Sequence, residues 1–115
     1  MFDFQRLTVY VKAKEFHMAC KALIADHSLD HYVSNQLGRA SLSIPLNIAE
    51  GSGKFSKADR KNYFTTARAS VFECIAIIDI LQDQSIVSSA QAAILFNQAD
   101  ELSRILYAMI RNLSK

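Results

Sequence analysis

The stretch GSGKFSKADRK combines glycines, lysines and hydroxyls, the residue types that commonly hold a phosphate group. A nucleotide-binding P-loop needs the pattern G-x-x-x-x-G-K-[ST] after a strand. Placing Gly53 and Lys54 at the final glycine and lysine puts Ile48 at the first glycine position, and Phe55 falls where the metal-binding hydroxyl belongs. The dinucleotide pattern G-x-G-x-x-G also fails, because a serine occupies its third glycine position. The stretch therefore predicts a helix connection, with Gly51 as a left-handed helix terminus and Gly53 as a flexible link.

Two histidines raise the question of a metal site. His27 and His31 lie four residues apart beside Asp26 and Asp30, and these residue types can ligate zinc. The four residues fall in a predicted helix connection with no further ligand nearby, so solvated loop residues are the stronger interpretation. No nucleophile with a paired base can be assembled from the sequence either. We therefore expect no metal, no cofactor and no enzymatic activity.

Cations cluster around the glycine-containing connection. Four cations outweigh one carboxylate there and give a local charge of +3, whereas the whole chain carries only +2. A predicted helix begins at this point, and its dipole disfavours cations by ~0.3 to 1 kcal/mol each at low salt. Nucleic-acid phosphates or an antiparallel neighbouring helix would compensate them, and the sequence leaves both interpretations open. The candidate nucleic-acid-binding residues are Lys54, Lys57, Arg60, Lys61 and Arg68.

The apolar residues that must position these groups recur at helical spacing, without the alternation expected of strands. They predict four helical segments, at about residues 4–25, 29–50, 57–83 and from 89 onward. Ser28 is the expected N-cap of the second segment. Ser56 with Asp59, and Ser88 with Gln91, have the spacing of a capping box at the start of the third and fourth.

The predicted fold is all-α, a single domain over residues 1–115 that forms an antiparallel up-down four-helix bundle. Pro45 removes a backbone hydrogen bond within the second segment, but the helical phase continues across it, so we predict one bent helix. Cys20 and Cys74 lie among apolar residues and are expected to be inert core thiols, which favours a cytoplasmic location. No stretch approaches the ~18 apolar residues of a membrane span, so no membrane partner is expected.

The second segment carries more than one distinctive face. Besides its core stripe, Leu42, Leu46 and Ala49 form a further apolar strip, which a monomeric bundle rarely needs. We therefore predict that this strip is an interface between copies of the chain. A polar stripe runs beside the core stripe and contains Gln36, Arg39, Ser43, Asn47 and Glu50.

Three stretches resemble a known bacterial family: FQRLTVYVKAKEF near the start, QLGRASLSIPLNIAEGSGKFSKAD in the middle and ARASVFECIAII after it. They are similar to the four-helix-bundle proteins encoded in intervening sequences of large-subunit ribosomal RNA genes. The most specific part is the run S-I-P-x-N-I-A-E-G. Within the shared pattern we expect mainly architectural roles for Arg39, Ser43, Pro45, Asn47, Glu50 and Gly51. Glu50, at a helix end, is further expected to pair with a cation or with backbone N–H groups.

The resemblance also implies partners. Similar proteins include the accessory subunit of diversity-generating retroelements, which forms a pentameric ring and binds nucleic acid and a reverse transcriptase. For this chain the likeness implies a homo-oligomer, with a pentamer as the expected form, and an RNA or DNA partner, a reverse transcriptase or another nucleoprotein. It implies no catalytic residues.

The leading hypothesis is therefore a non-enzymatic, homo-oligomeric helical protein that binds nucleic acid or a nucleoprotein through its basic surface. The alternative is a protein-only adaptor scaffold, in which the same charges serve contacts between subunits.

Overall fold

The computed structural model describes residues 1–115 and contains four α-helices and no strands. A short 3₁₀ turn at Asp3–Arg6 precedes them. The helices are α1 (Thr8–Asp26), α2 (His31–Ser52), α3 (Lys57–Asp83) and α4 (Ser89–Leu113). The all-α class predicted from apolar periodicity is confirmed. No helix is long and apolar enough to cross a bilayer.

Each helix packs against two others, in the cyclic order α1, α2, α3, α4. The Cα atoms of the diagonal pairs, α1 with α3 and α2 with α4, stay more than 8 Å apart. The four core-facing stripes meet in one cluster of 21 buried hydrophobic residues. Its largest fully buried aliphatic and aromatic side chains include Phe16, Leu37, Ile44, Ile48, Ile78, Leu102 and Leu106.

The starts of α3 and α4 are fixed by local hydrogen bonds that the sequence predicts. Ser56 Oγ accepts from the backbone N–H of Asp59 at 3.0 Å, and Ser88 Oγ accepts from that of Gln91 at 3.1 Å. Both hydroxyl caps are confirmed, and the reciprocal bond of a capping box is present only at Ser88, whose N–H donates to Gln91 Oε1 at 3.4 Å. The predicted Ser28 cap of α2 is wrong, because α2 begins at His31 after Asp30.

Helix α2 continues through Pro45, which is buried, so the predicted single helix is confirmed. Proline offers no N–H to the carbonyl of Ser41, one turn earlier. The Ser41 side chain is also fully buried, and its hydroxyl lies 2.8 Å from His17 Nδ1 on α1. A cross-helix hydrogen bond therefore accompanies the interrupted ladder of α2.

The two cysteines meet in the core across the bundle diagonal. The neighbouring Cys20 thiol, together with burial, raises the pKa of the Cys74 thiol well above its usual range. A disulfide requires Cα atoms within about 7 Å, whereas α1 and α3 keep theirs beyond 8 Å. The buried thiols are therefore unreactive packing groups, as the sequence predicts.

Gly51 is needed for the close approach of α2 to α3. It lies inside the last turn of α2, and no glycine in the chain has a positive φ, so the predicted left-handed terminus is wrong. A Cβ at this position would lie 2.8 Å from Tyr63 Cβ and 2.8 Å from Phe64 Cε1. Helix α2 ends at Gly53, its C-cap residue, whose N–H donates to the carbonyl of Glu50 at 3.2 Å.

Replacing Gly51 by alanine is expected to destabilise the fold by about 1–3 kcal/mol, because the new Cβ would force Tyr63 or Phe64 away. The matched control is Gly38→Ala in the same helix, where the nearest atom to the added Cβ is Ile24 Cδ1 at 4.0 Å. This control should gain up to about 1 kcal/mol from helix propensity. Urea unfolding measures both, and equal stability of the two variants would contradict the contact role.

Candidate functional sites

The predicted basic cluster lies on the α2–α3 connection and the first two turns of α3. Lys57 and Lys61 are exposed and form no ion pair. The two ion pairs of the chain lie elsewhere, between α1 and α4 and within α4. The structure therefore leaves both lysine charges open to an external anion.

Two further cations of the cluster also support the connection itself. Arg60 Nε donates to the backbone carbonyl of Lys54 at 2.7 Å. Lys54 Nζ lies 5.2 Å from the ring centroid of Tyr63. Neither cation forms an ion pair, and both order the chain around them. A carboxylate lies near each, because Asp59 lines one hollow with Lys54 and Asp3 lines another with Arg60.

Arg68, the fifth candidate, links α3 to α4. Its Nε donates to the carbonyl of Ser103 at 3.2 Å. The guanidinium carbon lies 4.7 Å from the ring centroid of Phe72 and 5.4 Å from that of Tyr107. At this one position a basic residue of the predicted cluster makes its contacts with a neighbouring helix.

A polar hollow of about 360 Å³ opens beside the connection. Its lining residues are Asn47, Lys54, Asp59, Asn62, Tyr63 and Thr66. Asn47 Nδ2 donates to the carbonyl of Ser43 at 2.8 Å, which leaves the amide oxygen without an assigned partner. Asn62 and Thr66 are not among the residues predicted from the sequence, although their four-residue spacing places them on one face of α3.

The polar stripe of α2 forms part of its contact with α3. Gln36 Nε2 donates to a carboxylate oxygen of Glu73 at 2.8 Å, and the hydroxyls of Ser43 and Ser70 hydrogen-bond to each other. Ser43 thus joins α2 to α3, and Asn47 bonds within α2; the architectural role of both stays a prediction. Arg39 and Glu50 point away into solvent. The expectation that Glu50 pairs with a cation or with backbone N–H groups is wrong, because its carboxylate forms neither an ion pair nor a hydrogen bond.

An apolar groove of about 660 Å³ lies between α1 and α2. Leu42 and Leu46, the predicted strip, are 44% and 50% exposed, and Met18 of α1 is 62% exposed beside them. Ala49 is half-buried. His17 also lines the groove, and burial and the nearby Lys21 charge lower its pKa.

Phe55 is the most exposed hydrophobic side chain, at 101% of its reference area. It lies in the connection directly after Lys54 and two residues before Lys57. In the sequence, Phe55 stands out only as a mismatch to the P-loop pattern. The available signal was an apolar residue between two lysines, outside every helical stripe.

Comparison with known proteins agrees with the fold and the motifs. The family model of the 23S rRNA-intervening sequence proteins matches residues 5–108. The chain belongs to this family. The resemblance seen in the sequence is thereby confirmed, and it extends beyond the S-I-P-x-N-I-A-E-G run to nearly the whole chain.

A solved structure shares the fold of this 23S rRNA-intervening sequence protein. It is a protein of unknown function from the S23 ribosomal protein family of Bacteroides thetaiotaomicron VPI-5482, with a TM-score of 0.85 and 24% sequence identity. The match covers 90% of this chain and 98% of that one. No curated protein sequence matches the chain.

The geometry around Arg68 predicts a structural role that lysine does not replace. Arg68→Lys keeps the charge but loses the planar group between two rings, so we expect a loss of about 1–3 kcal/mol in unfolding free energy. The matched control is Arg104→Lys, because Arg104 forms an exposed ion pair within α4 that contributes little. Urea unfolding compares the two variants. An equal loss of unfolding free energy at both positions would contradict the structural role of Arg68.

Proposed function

We propose that this chain is a non-enzymatic, homo-oligomeric, antiparallel up-down bundle that binds nucleic acid through the basic α2–α3 connection. The observation that carries the proposal is the pair Lys57 and Lys61, exposed and without a carboxylate partner, beside the charges of Lys54 and Arg60. Phosphate groups are the natural partners of such a cluster, because they release counterions when lysines replace those ions. Both RNA and DNA offer these phosphates.

The up-down arrangement is supported by the order of contacts between helices. In each pair of neighbouring helices, contacts made by later residues of one helix involve earlier residues of the other. The pairs are His17 with Ser41, Ile24 with Gly38, Gln36 with Glu73, Ser43 with Ser70, Arg68 with Ser103 and Gln82 with Ser89. In addition, Phe4, Gly53 and Met109 line one hollow, which brings the chain start, the α2–α3 connection and the end of α4 together.

This arrangement separates the charges along a molecule that is 44 Å long. The basic connection lies at one end. The other end, formed by the α1–α2 connection and the end of α3, carries Asp26, Asp30, Asp79 and Asp83 with one nearby lysine, Lys21. A polyanion would be attracted to the basic end and repelled by the acidic one, even though the net charge is small.

Homo-oligomerisation is supported by the groove between α1 and α2. Leu42 and Leu46 remain about half exposed although they lie in a well-packed helix, and Met18 and Val11 extend the apolar surface onto α1. Contiguous exposed apolar surface of this kind marks interaction sites. A second copy would cover the leucines and bring several basic connections together. The retroelement resemblance favours a pentamer, and it also favours a reverse transcriptase or another nucleoprotein as a further partner.

A protein-only adaptor scaffold is the second candidate, and one observation favours it. Lys54, Arg60 and Arg68 all make contacts within the chain, so that part of the basic surface has a structural use. In this case only the charges of Lys57 and Lys61 await a partner, and an acidic protein surface would satisfy them.

The nucleic-acid proposal predicts that Lys57→Gln/Lys61→Gln weakens binding to a mixed single strand of RNA or DNA. Each subunit in contact loses two phosphate contacts, so the slope of log affinity against log salt should become shallower by about 1.4 per contacting subunit. Fluorescence anisotropy at several salt concentrations measures both quantities, with native mass spectrometry on the same samples.

The matched control for that experiment is Lys21→Gln/Arg39→Gln, which makes the same change in net charge at two exposed residues away from the connection. It should keep the wild-type salt slope. An intact oligomer that shows no salt-sensitive binding would favour the adaptor instead. Equal weakening by both double variants would show that net charge alone acts.

The oligomer proposal predicts that Leu46→Glu dissociates the assembly, because a carboxylate would have to be buried against a second copy. Native mass and sedimentation at several concentrations measure the effect, and circular dichroism should show unchanged helix content. Ile94→Glu is the matched control, since Ile94 on α4 is also exposed but lies outside the groove. A wild-type chain that stays monomeric at every concentration would end the proposal.

A further inference from the structure

Phe55 is presented to solvent by a connection that is hydrogen-bonded on both sides. Before it, the N–H of Lys54 donates to the carbonyl of Gly51 at 3.1 Å, and the carbonyl of Lys54 accepts from Arg60 Nε at 2.7 Å. After it, Ser56 caps α3, and its carbonyl accepts from the N–H of Arg60 at 3.1 Å. The backbone beside Phe55 therefore has little freedom left to lose when a ligand binds.

The Phe55 ring is the open aromatic surface among these cations. It joins neither the core cluster nor any aromatic pair. The nearby Tyr63 is only partly exposed, and Lys54 already lies over its ring. Burying a phenylalanine side chain is worth about 1.5–3 kcal/mol, so a partner that covers this ring gains substantially.

We infer that the Phe55 ring stacks against an unpaired base of single-stranded nucleic acid, while Lys57 and Lys61 hold the neighbouring phosphates. This inference rests on the proposed function and deepens it by naming the class of nucleic acid. Aromatic side chains interleaved with cations bind single strands, because every unpaired base offers an apolar π face regardless of sequence. A duplex buries those faces in its own stack.

The polar hollow beside the connection fits the same ligand. A base that stacks on Phe55 places its strand next to Lys54, which lines the hollow together with Asn47 and Asn62. Amide groups can donate to and accept from base edges. The connection and the hollow together therefore offer stacking, phosphate contacts and hydrogen bonds at one end of the bundle.

The test uses the full-length protein and three labelled probes. The first is a mixed-sequence DNA single strand of about 20 nucleotides, longer than the ~4–16 nucleotides that one single-strand-binding fold contacts. The second is a strand of equal length made of abasic sites, which keeps the phosphates without the bases. The third is the duplex of the first. RNA of the same sequence repeats the first measurement.

Phe55→Ala should lower affinity for the single strand by about 5- to 140-fold if one base stacks on the ring. Phe55→Leu should lose most of the same affinity, because it keeps an apolar side chain without a π face. Binding to the abasic strand should be equal for all three proteins. Tyr32→Ala is the control, since Tyr32 is a strongly exposed aromatic residue at the other end of α2, and it should change nothing.

Phe55→Trp gives an independent readout, because the chain contains no tryptophan. The F55W variant should bind the single strand at least as tightly as the wild type. Its fluorescence should be quenched by the single strand, through base stacking, and should be unchanged by the abasic strand.

The outcomes separate this inference from the proposed function. If the wild type binds no probe, the proposed function itself fails. If binding depends on Lys57 and Lys61 while Phe55→Ala is neutral and F55W is unquenched, only the stacking inference fails. If Phe55→Ala dissociates the oligomer and F55W emission is blue-shifted before any probe is added, the ring is covered by a second copy, and the inference is again overturned.

Discussion

The close approach of α2 and α3 at Gly51 is the constraint on which the candidate nucleic-acid site depends. Without a side chain at this position, Tyr63 and Phe64 pack directly over the last turn of α2. The two helices can then be joined by only four residues, 53–56. Such a short connection is hydrogen-bonded on both sides of Phe55, and these bonds restrain the backbone from which the cations and the ring project.

Helix α2 links that site to the apolar groove, because three of its faces make different contacts. One face enters the core, a second makes polar contacts with α3 through Gln36 and Ser43, and a third exposes Leu42 and Leu46. The polar contacts fix α2 against α3. A partner that binds Leu42 and Leu46 would therefore also have a defined position relative to the basic connection. Assembly at the groove would therefore set the spacing between binding sites, and not only their number.

The features that the sequence predicted are those that local rules determine. The four helices follow from apolar periodicity, and the caps at Ser56 and Ser88 follow from bonds that span three residues. One error is local, because Asp30 and not Ser28 precedes α2, whereas the main omissions depend on distant residues. The contact of Gly51 with Tyr63 and the contact of Arg68 with Tyr107 both join different helices, and no short pattern announces them.

Phe55 shows a different reason for missing a site residue. When a sequence is compared with known motifs, an apolar residue in a connection counts only as a mismatch. Its exposure becomes meaningful only when the surrounding fold is known. The same helical periodicity that explains almost every other large apolar residue leaves this one unexplained. A residue that the fold does not use is therefore informative when the adjacent residues carry uncompensated charge.

The small net charge explains why assembly and nucleic-acid binding must be considered together. A chain of charge +2 with two unpaired lysines at its basic end gains little from one phosphate contact at a time. When several copies stand side by side, the first contact raises the effective concentration of the remaining sites for the same strand, and avidity grows without any new contact within a subunit. Base stacking would add a contribution to the binding free energy that salt weakens little. If both proposals hold, the groove on α1 and α2 and the basic connection would act on the same equilibrium, because the first would set how many copies of the second a strand can meet.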